Sequence, residues 1–315
     1  RNDRKLPVDI WYPADPRSAA TASKATYTFI PGLSMPSTHA VNEPMLATGR
    51  FPVVVYSHGS SGFRYVSSFL TEHLASHGFI VVAPDHVGNT AIDVFLGNAV
   101  SEQANAEMRP LDVSFVLDNV LAESDVNPVR AHVDRQRVGV IGHSFGGYTA
   151  MSTVAGSSTR PADARVKAIV GMAPYTRSLD DATLANVRVP ALLMTGTKDT
   201  VTPIVVDTTR PWDRIAGRPL YRVDLLDAGH QSFTDACAYV PIVKAAGDLP
   251  AGIASYAEST AAQGCGPGLM DISQAQLEIN KYITAFLGAY VAGNTNAKQY
   301  LVSDPPLVTV QEKRA

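Results

Sequence analysis

The sequence has few charged residues, only two cysteines and no long apolar run. Of its 315 residues, 17% are charged, and the formal net charge is −3. This near balance gives no electrostatic reason to expect nucleic acid or an anionic lipid surface as a partner. No uninterrupted apolar run reaches the roughly 18 residues that a membrane-spanning helix needs. We therefore expect neither nucleic-acid binding nor stable membrane insertion.

A nucleotide-binding signature is also missing. The glycine-rich turn at residues 59–62 has neither the G-x-G-x-x-G spacing nor a Walker lysine, so we do not interpret it as a phosphate loop. Hydrophobic residues make up 45% of the chain, a content that favours a large buried core over disorder.

The two cysteines, Cys237 and Cys265, lie in one stretch rich in Gly, Ala and Pro, residues 234–272. Two thiols are too few for a zinc site. A disulfide between them would stabilise the fold by about 3–4 kcal/mol on the chain-entropy estimate. A start at Arg1 without Met is expected either of a chain whose leader has been removed or of a shortened sequence. With this start, the low charge and the 21 prolines, a disulfide indicates a secreted or periplasmic protein. Two unrelated buried thiols in a cytoplasmic protein are the alternative.

The strongest single motif is G-x-S-x-G at residues 142–146, which follows the β-type run 138–141 and precedes small, helix-compatible residues. Strand, serine and helix in this order are typical of a nucleophile elbow. The turn is so tight that Gly142 and Gly146 must lack side chains and Ser144 takes a strained backbone conformation. We interpret Ser144 as a catalytic nucleophile. A chance match in a loop of serines and glycines is the alternative.

Apolar, β-branched runs alternate with helical periodicities along the chain. The runs that predict strands are 5–12, 51–57, 79–86, 138–141, 166–172, 189–195 and 221–226, and the periodicities that predict helices are 65–77, 108–121 and 274–292. Alternation without hairpin signals predicts an α/β fold of the α/β-hydrolase type, with a mostly parallel central sheet and helices on both faces. We expect a single domain over residues 1–315, with a Cys-containing, loop-rich insertion at about 232–272. Residues 14–50 are expected to be a long surface connection with one short helix, and residues 87–106 an irregular segment near the rim of the site.

The acid and the base of such a hydrolase follow the nucleophile Ser144 in the order acid, then histidine. Asp199 directly follows a predicted strand, from where its loop can reach a histidine. Asp180 and Asp181 are rivals in a helix-like stretch further from a strand end. His230 is the only histidine downstream of the elbow, so it is the base that this order allows.

An ester hydrolase also needs two backbone N–H donors for the oxyanion of its tetrahedral intermediate. The residue after the nucleophile, Phe145, supplies one. The other is expected from the loop after the strand at 51–57, where we place it at Ser60, with Ser61 as the alternative. His58 is expected to brace this loop.

Side chains next to the catalytic positions are candidates for the wall of the site, although aromatic ones are equally typical of ordinary packing. The candidate substrate-binding residues are Ser61, Phe63, His143, Tyr175 and Phe233. Asp85 and His86 are expected at the rim, and Arg109 with Asp112 as an ion pair on a helix surface. None of these four is assigned to the chemistry.

Five motifs occur together: W-Y-P-A at 11–14, Y-S-H-G at 56–59, A-P-D-H at 83–86, G-H-S-F-G-G at 142–147 and A-G-H at 228–230. From about residue 5 to 290, this set resembles the branch of the α/β-hydrolases that contains proteins like platelet-activating-factor acetylhydrolase and dienelactone hydrolase. The resemblance implies a carboxylic ester hydrolase with a Ser-Asp-His triad and an oxyanion hole at Ser60 and Phe145. Related bacterial lipases, cutinases and polyester hydrolases share the triad order. Two-step acyl transfer by such a triad requires no metal or organic cofactor.

Two features depart from that branch. Dienelactone hydrolases use a cysteine where this chain has Ser144. The eukaryotic acetylhydrolases look to place their acid soon after the strand that follows the nucleophile, where residues 172–175 read M-A-P-Y; Asp199 on the next strand resembles the lipase and cutinase arrangement. We therefore predict hydrolysis of short to medium acyl esters, with small-molecule, lipid or polymer esters as possible substrates. A peptidase or amidase and a non-catalytic binding protein are the competing classes.

Overall fold

A computed structural model describes residues 4–30, 32–122, 128–247, 249 and 252–314 of the protein. Its strands are β1 Val8–Trp11, β2 Lys24–Ile30, β3 Leu33–Val41, β4 Phe51–Ser57, β5 Ile80–Pro84, β6 Val133–His143, β7 Val166–Met172, β8 Ala191–Gly196, β9 Leu220–Leu225 and β10 Val308–Lys313. Eight of them form one sheet in the order β1-β5-β4-β6-β7-β8-β9-β10, and β2 and β3 form a separate two-stranded ribbon.

The six central strands run parallel, and the two edge strands, β1 and β10, run antiparallel to their neighbours. Val53, Val54 and Val55 of β4 are fully buried because helices cover both faces of the sheet. The prediction of a mostly parallel α/β sheet with helices on both faces is confirmed.

The helices are α1 Pro16–Ala19, α2 Ser68–Ser76, α3 Ala91–Phe95, α4 Glu102–Leu121, α5 Pro128–Ala131, α6 Phe145–Ala155, α7 Asp181–Ala185, α8 Arg210–Arg214, α9 Ala236–Ala245, α10 Ile253–Ala261 and α11 Ile272–Tyr290, with a π-turn at Val205–Thr209 and 3-10 turns at His230–Phe233 and Thr295–Tyr300. Leu74 of α2 and Phe286 of α11 pack with Val54 on one face of the sheet. Leu117 of α4 and Met151 of α6 pack on the other face. In the ranges described above, no helix is long and apolar enough to cross a membrane.

Residues 14–50 are not a plain surface connection, because they contain the β2–β3 ribbon. The register of the ribbon shifts between Lys24 and Thr26 and again between Thr28 and Ile30. Such irregularities break the period-two alternation by which a strand is recognised in a sequence. The tail after residue 292 likewise contains a strand, β10, which pairs with β9 although only Val308 is fully buried.

The loop-rich assignment of residues 232–272 is wrong, since this segment contains α9 and α10 and α11 begins at its end. Alanine is frequent here and favours helix, but the glycines, and Pro241 inside α9, conceal the helical pattern. Similarly, α3 and the first turns of α4 lie in the segment 87–106, which is predicted to be irregular. That the chain forms a single domain stays a prediction.

The sheet brings the candidate functional residues to one edge. β4 ends at Ser57, β6 at His143, β8 at Gly196 and β9 at Leu225, and the neighbouring strands are parallel. Their carboxyl ends therefore meet at the same side of the sheet, which is where open α/β folds place their sites.

Candidate active site

Ser144 lies in the sharp turn between β6 and α6, with φ 54° and ψ −117°. A Cβ atom on Gly142 would lie 2.2 Å from the carbonyl oxygen of Gly146, and one on Gly146 would lie 1.9 Å from the carbonyl oxygen of Ser57. Both positions therefore require glycine, as the motif predicts. The left-handed backbone of a non-glycine residue is costly, and such strain is typical of functional turns.

Asp199 and His230 form a buried pair, with 2.8 Å between Asp199 Oδ2 and His230 Nδ1. Thr202 donates its hydroxyl to Asp199 Oδ2 at 2.7 Å, and the amides of Val201 and Thr202 donate to Oδ1, each at 2.8 Å. Because the Asp199 carboxylate accepts a hydrogen bond from the Nδ1–H group of His230, the Nε2 atom of His230 is left without a proton and can act as the proton acceptor.

The pKa of Asp199 lies below its ordinary value. Burial favours the neutral acid, but the hydrogen bond and charge of His230, together with the amide and hydroxyl of Thr202, more than offset it. Asp199 therefore carries the negative charge that an orienting carboxylate needs beside an imidazole.

His143 is hydrogen-bonded to the loop that carries His230. Its Nε2 donates to the carbonyl oxygen of His230 at 3.0 Å, and the two ring centroids are 4.7 Å apart. Burial, followed by the proximity of His230, lowers the pKa of His143 to about 3, so its ring is neutral. Ser144 and His230 line the same cavity. The hydrogen bonds of the described residues do not include one between Ser144 Oγ and His230, a contact that in unliganded hydrolases often tightens only with substrate bound.

The rival aspartates are engaged elsewhere. Asp180 is the N-cap of α7 and accepts from the amide of Thr183. Asp181 forms ion pairs with Arg210 at 2.9 Å and Arg214 at 2.8 Å. The structure thus brings Asp199 to His230 and leaves Asp180 and Asp181 on a helix end.

Two backbone amides beside Ser144 are free to donate. In the part of the chain that the structure describes, neither the Ser60 nor the Phe145 amide has a hydrogen-bond acceptor. The Ser61 amide, the alternative, donates to the carbonyl oxygen of Asn89 at 3.1 Å. A site for an oxyanion needs unoccupied donors, so the geometry favours Ser60 over Ser61.

The loop that carries Ser60 rests on a buried polar network, whose centre is the fully buried Arg109. The guanidinium of Arg109 donates to Asn89 Oδ1 at 2.7 Å, to Ser57 Oγ at 3.0 Å and to the carbonyl oxygen of His58. Its carbon Cζ lies 5.1 Å from the centroid of the Phe145 ring. Burial lowers the pKa of Arg109 to about 9, which leaves it charged at neutral pH.

The histidines of the network have fixed tautomers. His58 accepts the amide of His86 at Nε2, at 3.0 Å, and donates from Nδ1 to the carbonyl oxygen of Gly59 at 2.7 Å, so it braces its loop as expected. His86 is bonded to Asp112 at 2.8 Å and to Ser57 Oγ at 2.9 Å. Burial, before all other causes, lowers the pKa of both rings well below the ordinary value.

Two expectations about this network are therefore wrong. Arg109 and Asp112 are not an ion pair on a helix surface, because both are buried and have different partners. His86 does not lie at the rim but is fully buried beneath it, whereas Asp85 lines the cavity and pairs with Arg64 at 2.5 Å. A spacing of three residues on a helix says nothing about which face of the helix the core covers.

The cavity at Ser144 has a volume of about 400 Å³. Of the predicted wall residues, Ser61, Phe63 and His143 line it, and so does Ser60. Tyr175 is outside this cavity, where its ring contacts Phe145 and its hydroxyl donates to Glu102 at 2.9 Å. Phe233 is a core residue that is fully buried, with its ring stacked against His143, so we withdraw it from the substrate wall.

Much of the cavity wall comes from segments that sequence reasoning assigned to loops. Residues of β2, α3, α9 and α10 that line it are Thr28, Phe29, Ile30, Ala91, Ile92, Asp93, Phe95, Ala236, Tyr239, Ile242, Val243, Ile253, Tyr256, Ala257 and Thr260. The spacing 253, 256, 257 and 260 is a helical stripe that could have revealed this face. Thr202 and Asn89 were also missed. Asp199 and Thr202 in D-T-V-T are typical of an Asx turn, a signal that predicts the amide contacts to the carboxylate.

Cys237 and Cys265 are joined as a disulfide with 5.9 Å between their Cα atoms, as expected. The disulfide connects the first turn of α9 to the segment after α10. Across the described ranges, no group of three or more histidine, cysteine, aspartate or glutamate side chains is arranged to hold a metal ion.

The parallel sheet, the serine elbow and the loops at its carboxyl edge define an α/β-hydrolase fold, and a solved structure agrees. The ferulic acid esterase from Streptomyces cinnamoneus superposes with a TM-score of 0.71 and 23% sequence identity, over 98% of this chain and 89% of that one. At this identity the likeness establishes the fold alone.

Sequence comparison assigns the family. A model described as PETase, PET hydrolase-like, matches residues 15–244, and the chain belongs to this family. It is 28% identical to platelet-activating factor acetylhydrolase of Canis lupus familiaris over 186 residues, 47% of this chain and 40% of that protein. It is 30% identical to cutinase 2 of Thermobifida cellulosilytica over 155 residues, 49% of this chain and 50% of that protein. The matches thus span half or less of the length of these relatives. The resemblance to serine esterases of the α/β-hydrolase type is confirmed.

Proposed function

We propose that the protein is a serine carboxylic ester hydrolase that acts through Ser144, His230 and Asp199 and an acyl-enzyme intermediate. The observation that carries the proposal is that His230, paired with the buried, ionised Asp199, and the unoccupied amide of Ser60 converge on the cavity that contains the strained Ser144. The amide of Phe145, the next residue in the chain, is also unoccupied. Membership in the PET hydrolase-like family and the similarity to cutinases and acetylhydrolases support it.

In the proposed first step, Ser144 Oγ attacks the ester carbonyl carbon while Nε2 of His230 takes the hydroxyl proton. The carbonyl oxygen becomes an oxyanion between the amides of Ser60 and Phe145. Asp199 keeps the proton of His230 on Nδ1 and stabilises the imidazolium. Collapse of the intermediate breaks the bond to the alcohol oxygen, which takes the proton from His230 and leaves.

In the second step, His230 takes a proton from water as the water oxygen attacks the acyl carbon. The same two amides hold the second oxyanion. Its collapse releases the carboxylic acid and returns the proton to Ser144. Every proton in this cycle moves through His230, so the proposal assigns no separate general acid.

The substrate class that we propose is short to medium acyl esters, since the cavity at Ser144 is of a size typical of small-molecule sites. Polyester is a second candidate. It is favoured by the family match and by exposed apolar residues of α3 at the cavity mouth, where Ile92 is 41% and Phe95 43% exposed. The disulfide supports an extracytoplasmic location, secreted or periplasmic.

The test is hydrolysis of p-nitrophenyl esters from acetyl to palmitoyl by the wild type, Ser144→Ala and Asp199→Asn. We expect Ser144→Ala to abolish turnover. We expect Asp199→Asn to lower kcat by about 10⁴-fold, because an amide at this position stabilises the wrong tautomer of His230. Paired amide substrates test the peptidase or amidase alternative. Full ester turnover by Ser144→Ala would refute the assignment, and no turnover of any ester by the wild type would favour an amidase or a binding protein.

A further inference from the structure

The cavity at Ser144 has a wall that the family match does not include. The match ends at residue 244, within α9, whereas α10 spans Ile253–Ala261. Four residues of α10, namely Ile253, Tyr256, Ala257 and Thr260, line the cavity. Their spacing of three, four and seven residues from Ile253 places them on one face of the helix. The helix therefore turns this face to the substrate cavity and not to the main hydrophobic core.

The α9–α10 pair is hydrogen-bonded to the loop that carries Ser60 and to the loop that carries His230. Tyr256 donates its hydroxyl to the carbonyl oxygen of Ser61, next to Ser60, at 3.1 Å. At the other end, the amide of Gln231 donates to the carbonyl oxygen of Gln263 at 3.0 Å, directly after His230.

Two further links hold the two helices to each other. The disulfide joins Cys237 to Cys265, and Lys244 of α9 pairs with Glu258 of α10 at 3.0 Å. The position of α10 is thus tied to the positions of the oxyanion loop and of the base. The size of the space between them is set by the fold.

The chemistry of this wall suits an uncharged apolar group. Ile242 and Val243 of α9, Ile253 of α10, and Phe29 and Leu33 of the β2–β3 ribbon contribute aliphatic and aromatic surface to it.

The charged side chains of the wall already have partners. Arg64 pairs with Asp9 at 2.9 Å and with Asp85 at 2.5 Å. Asp93 accepts from the amides of Gly88 and Thr90. Arg64 is thus neutralised by carboxylates and Asp93 is held by backbone amides, so a ligand carboxylate or ammonium group would gain little here.

We propose that α10, together with α9 and the β2–β3 ribbon, forms a binding pocket for one linear apolar arm of a neutral ester. The pocket determines the chain-length preference of the enzyme. This inference rests on the proposed ester hydrolysis at Ser144. A volume of about 400 Å³ accommodates one arm of medium length and not the two chains of a diacyl lipid. The arm belongs either to the acid or to the alcohol, and the experiment separates the two.

The experiment measures kcat/KM for two series of substrates: p-nitrophenyl esters from acetyl to dodecanoyl, and acetates of linear alcohols from ethyl to decyl. The proteins are the wild type, Ser144→Ala, Ala257→Phe, which fills the pocket, Ile253→Ala, which enlarges it, and Ala254→Phe. Ala254 is an exposed residue of the same helix that does not line the cavity, so it is the matched control.

In the wild type, we expect kcat/KM to rise with chain length in one of the series. In Ala257→Phe, kcat/KM for the long substrate relative to the short one should fall about tenfold or more, because the added bulk removes the space for the methylene groups. The ratio is decanoyl to acetyl ester in the first series and decyl to ethyl acetate in the second. Ala254→Phe should keep the wild-type ratio. Ile253→Ala enlarges the pocket and should move the optimum to longer chains, and it decides the question if Ala257→Phe does not fold.

Two failures are distinguishable. If Ser144-dependent turnover is present but the chain-length profile is the same in the wild type, Ala257→Phe and Ile253→Ala, the pocket assignment is wrong and the proposed function stands. If no ester of either series, acetates included, is turned over in a Ser144-dependent manner, both are wrong.

Discussion

Replacement of Arg109 by methionine removes the centre of the buried network and keeps a long apolar stem in its place. Arg109 is fully buried and donates to Asn89, Ser57 and the carbonyl oxygen of His58. An unsatisfied buried acceptor costs about 1–3 kcal/mol. The Ser57 hydroxyl and the Asn89 amide can turn toward other partners, whereas the His58 carbonyl cannot. Loss of the hydrogen bonds from the charged guanidinium, each worth about 1.5–3 kcal/mol, adds to this cost, so we expect Arg109→Met to lower the free energy of unfolding by about 3–5 kcal/mol.

The same substitution should slow the reaction, because the acceptors of Arg109 hold the loop that carries the Ser60 amide. Deletion of one oxyanion donor lowers kcat by about 10²–10³-fold in a serine hydrolase. In Arg109→Met the Ser60 amide is displaced but still present, so it still stabilises the oxyanion in part. We therefore expect kcat to fall by about 10- to 100-fold, less than on deletion of a donor, while KM changes by less than about threefold. Arg109→Lys, which keeps the charge but not the planar fork, should recover only part of the rate.

Denaturant unfolding and steady-state kinetics on p-nitrophenyl butyrate measure both effects. Arg165→Met is the control, since Arg165 pairs with Asp163 and Asp118 directly before β7, at the opposite edge of the sheet from the site, and its replacement should leave kcat unchanged. An Arg109→Met protein with wild-type kcat would refute the reasoning, because a purely structural role lowers stability without changing the rate of the folded enzyme.

Two further predictions concern stability. Burial raises the pKa of Asp235 to about 7, and its Oδ2 accepts from the amide and hydroxyl of Ser68 at 2.6 and 2.7 Å. Because this folded pKa exceeds the ordinary value of 3.8, the folded state binds more protons at Asp235 between the two values, and the contribution of Asp235 to the free energy of unfolding falls as the pH rises from about 4 to about 7. Relative to Asp235→Asn, the wild type should therefore lose stability across this range. Asp112, whose pKa is raised to about 6, and the buried His58, His86 and His143, whose pKa values are lowered, contribute equally to both proteins. Unfolding midpoints at several pH values measure the difference, and parallel curves would contradict it. The second prediction is that Cys237→Ser with Cys265→Ser lowers the free energy of unfolding by about 3–4 kcal/mol, as expected for a disulfide that spans 28 residues. An unchanged denaturation midpoint would show that the disulfide does not constrain the unfolded chain.

The parallel sheet could be predicted from the sequence because its strands are apolar on both faces. Val53, Val54 and Val55 give a run that no solvent-exposed segment would carry. Ser144 was recognisable because the elbow geometry demands glycine at fixed positions. Asp199 and His230 followed from chain order, and the structure brings them within 2.8 Å of each other.

The wall of the cavity and the buried network could not be predicted in the same way. The β2–β3 ribbon and α9–α10 owe their structure to contacts with distant segments, such as the hydrogen bond between Tyr256 and Ser61, and local patterns do not contain such contacts. Likewise, Arg109 looked like a surface residue because arginine is rarely fully buried. Its burial is stabilised by Asn89, Ser57 and His58, which precede it by 20 to 52 residues.

The strand order has a consequence for how the protein folds. The residues proposed for catalysis follow β4, β6, β8 and β9, and β7 lies between β6 and β8 in the sheet. The oxyanion loop, the nucleophile, the acid and the base therefore meet only after five strands have found their registers. These pairings are distant along the chain; Phe51, for example, lies opposite Val133. Loop closures of this length make assembly slow. Recovery of the proposed esterase activity during refolding would thus report the completion of the sheet, later than signals from individual helices.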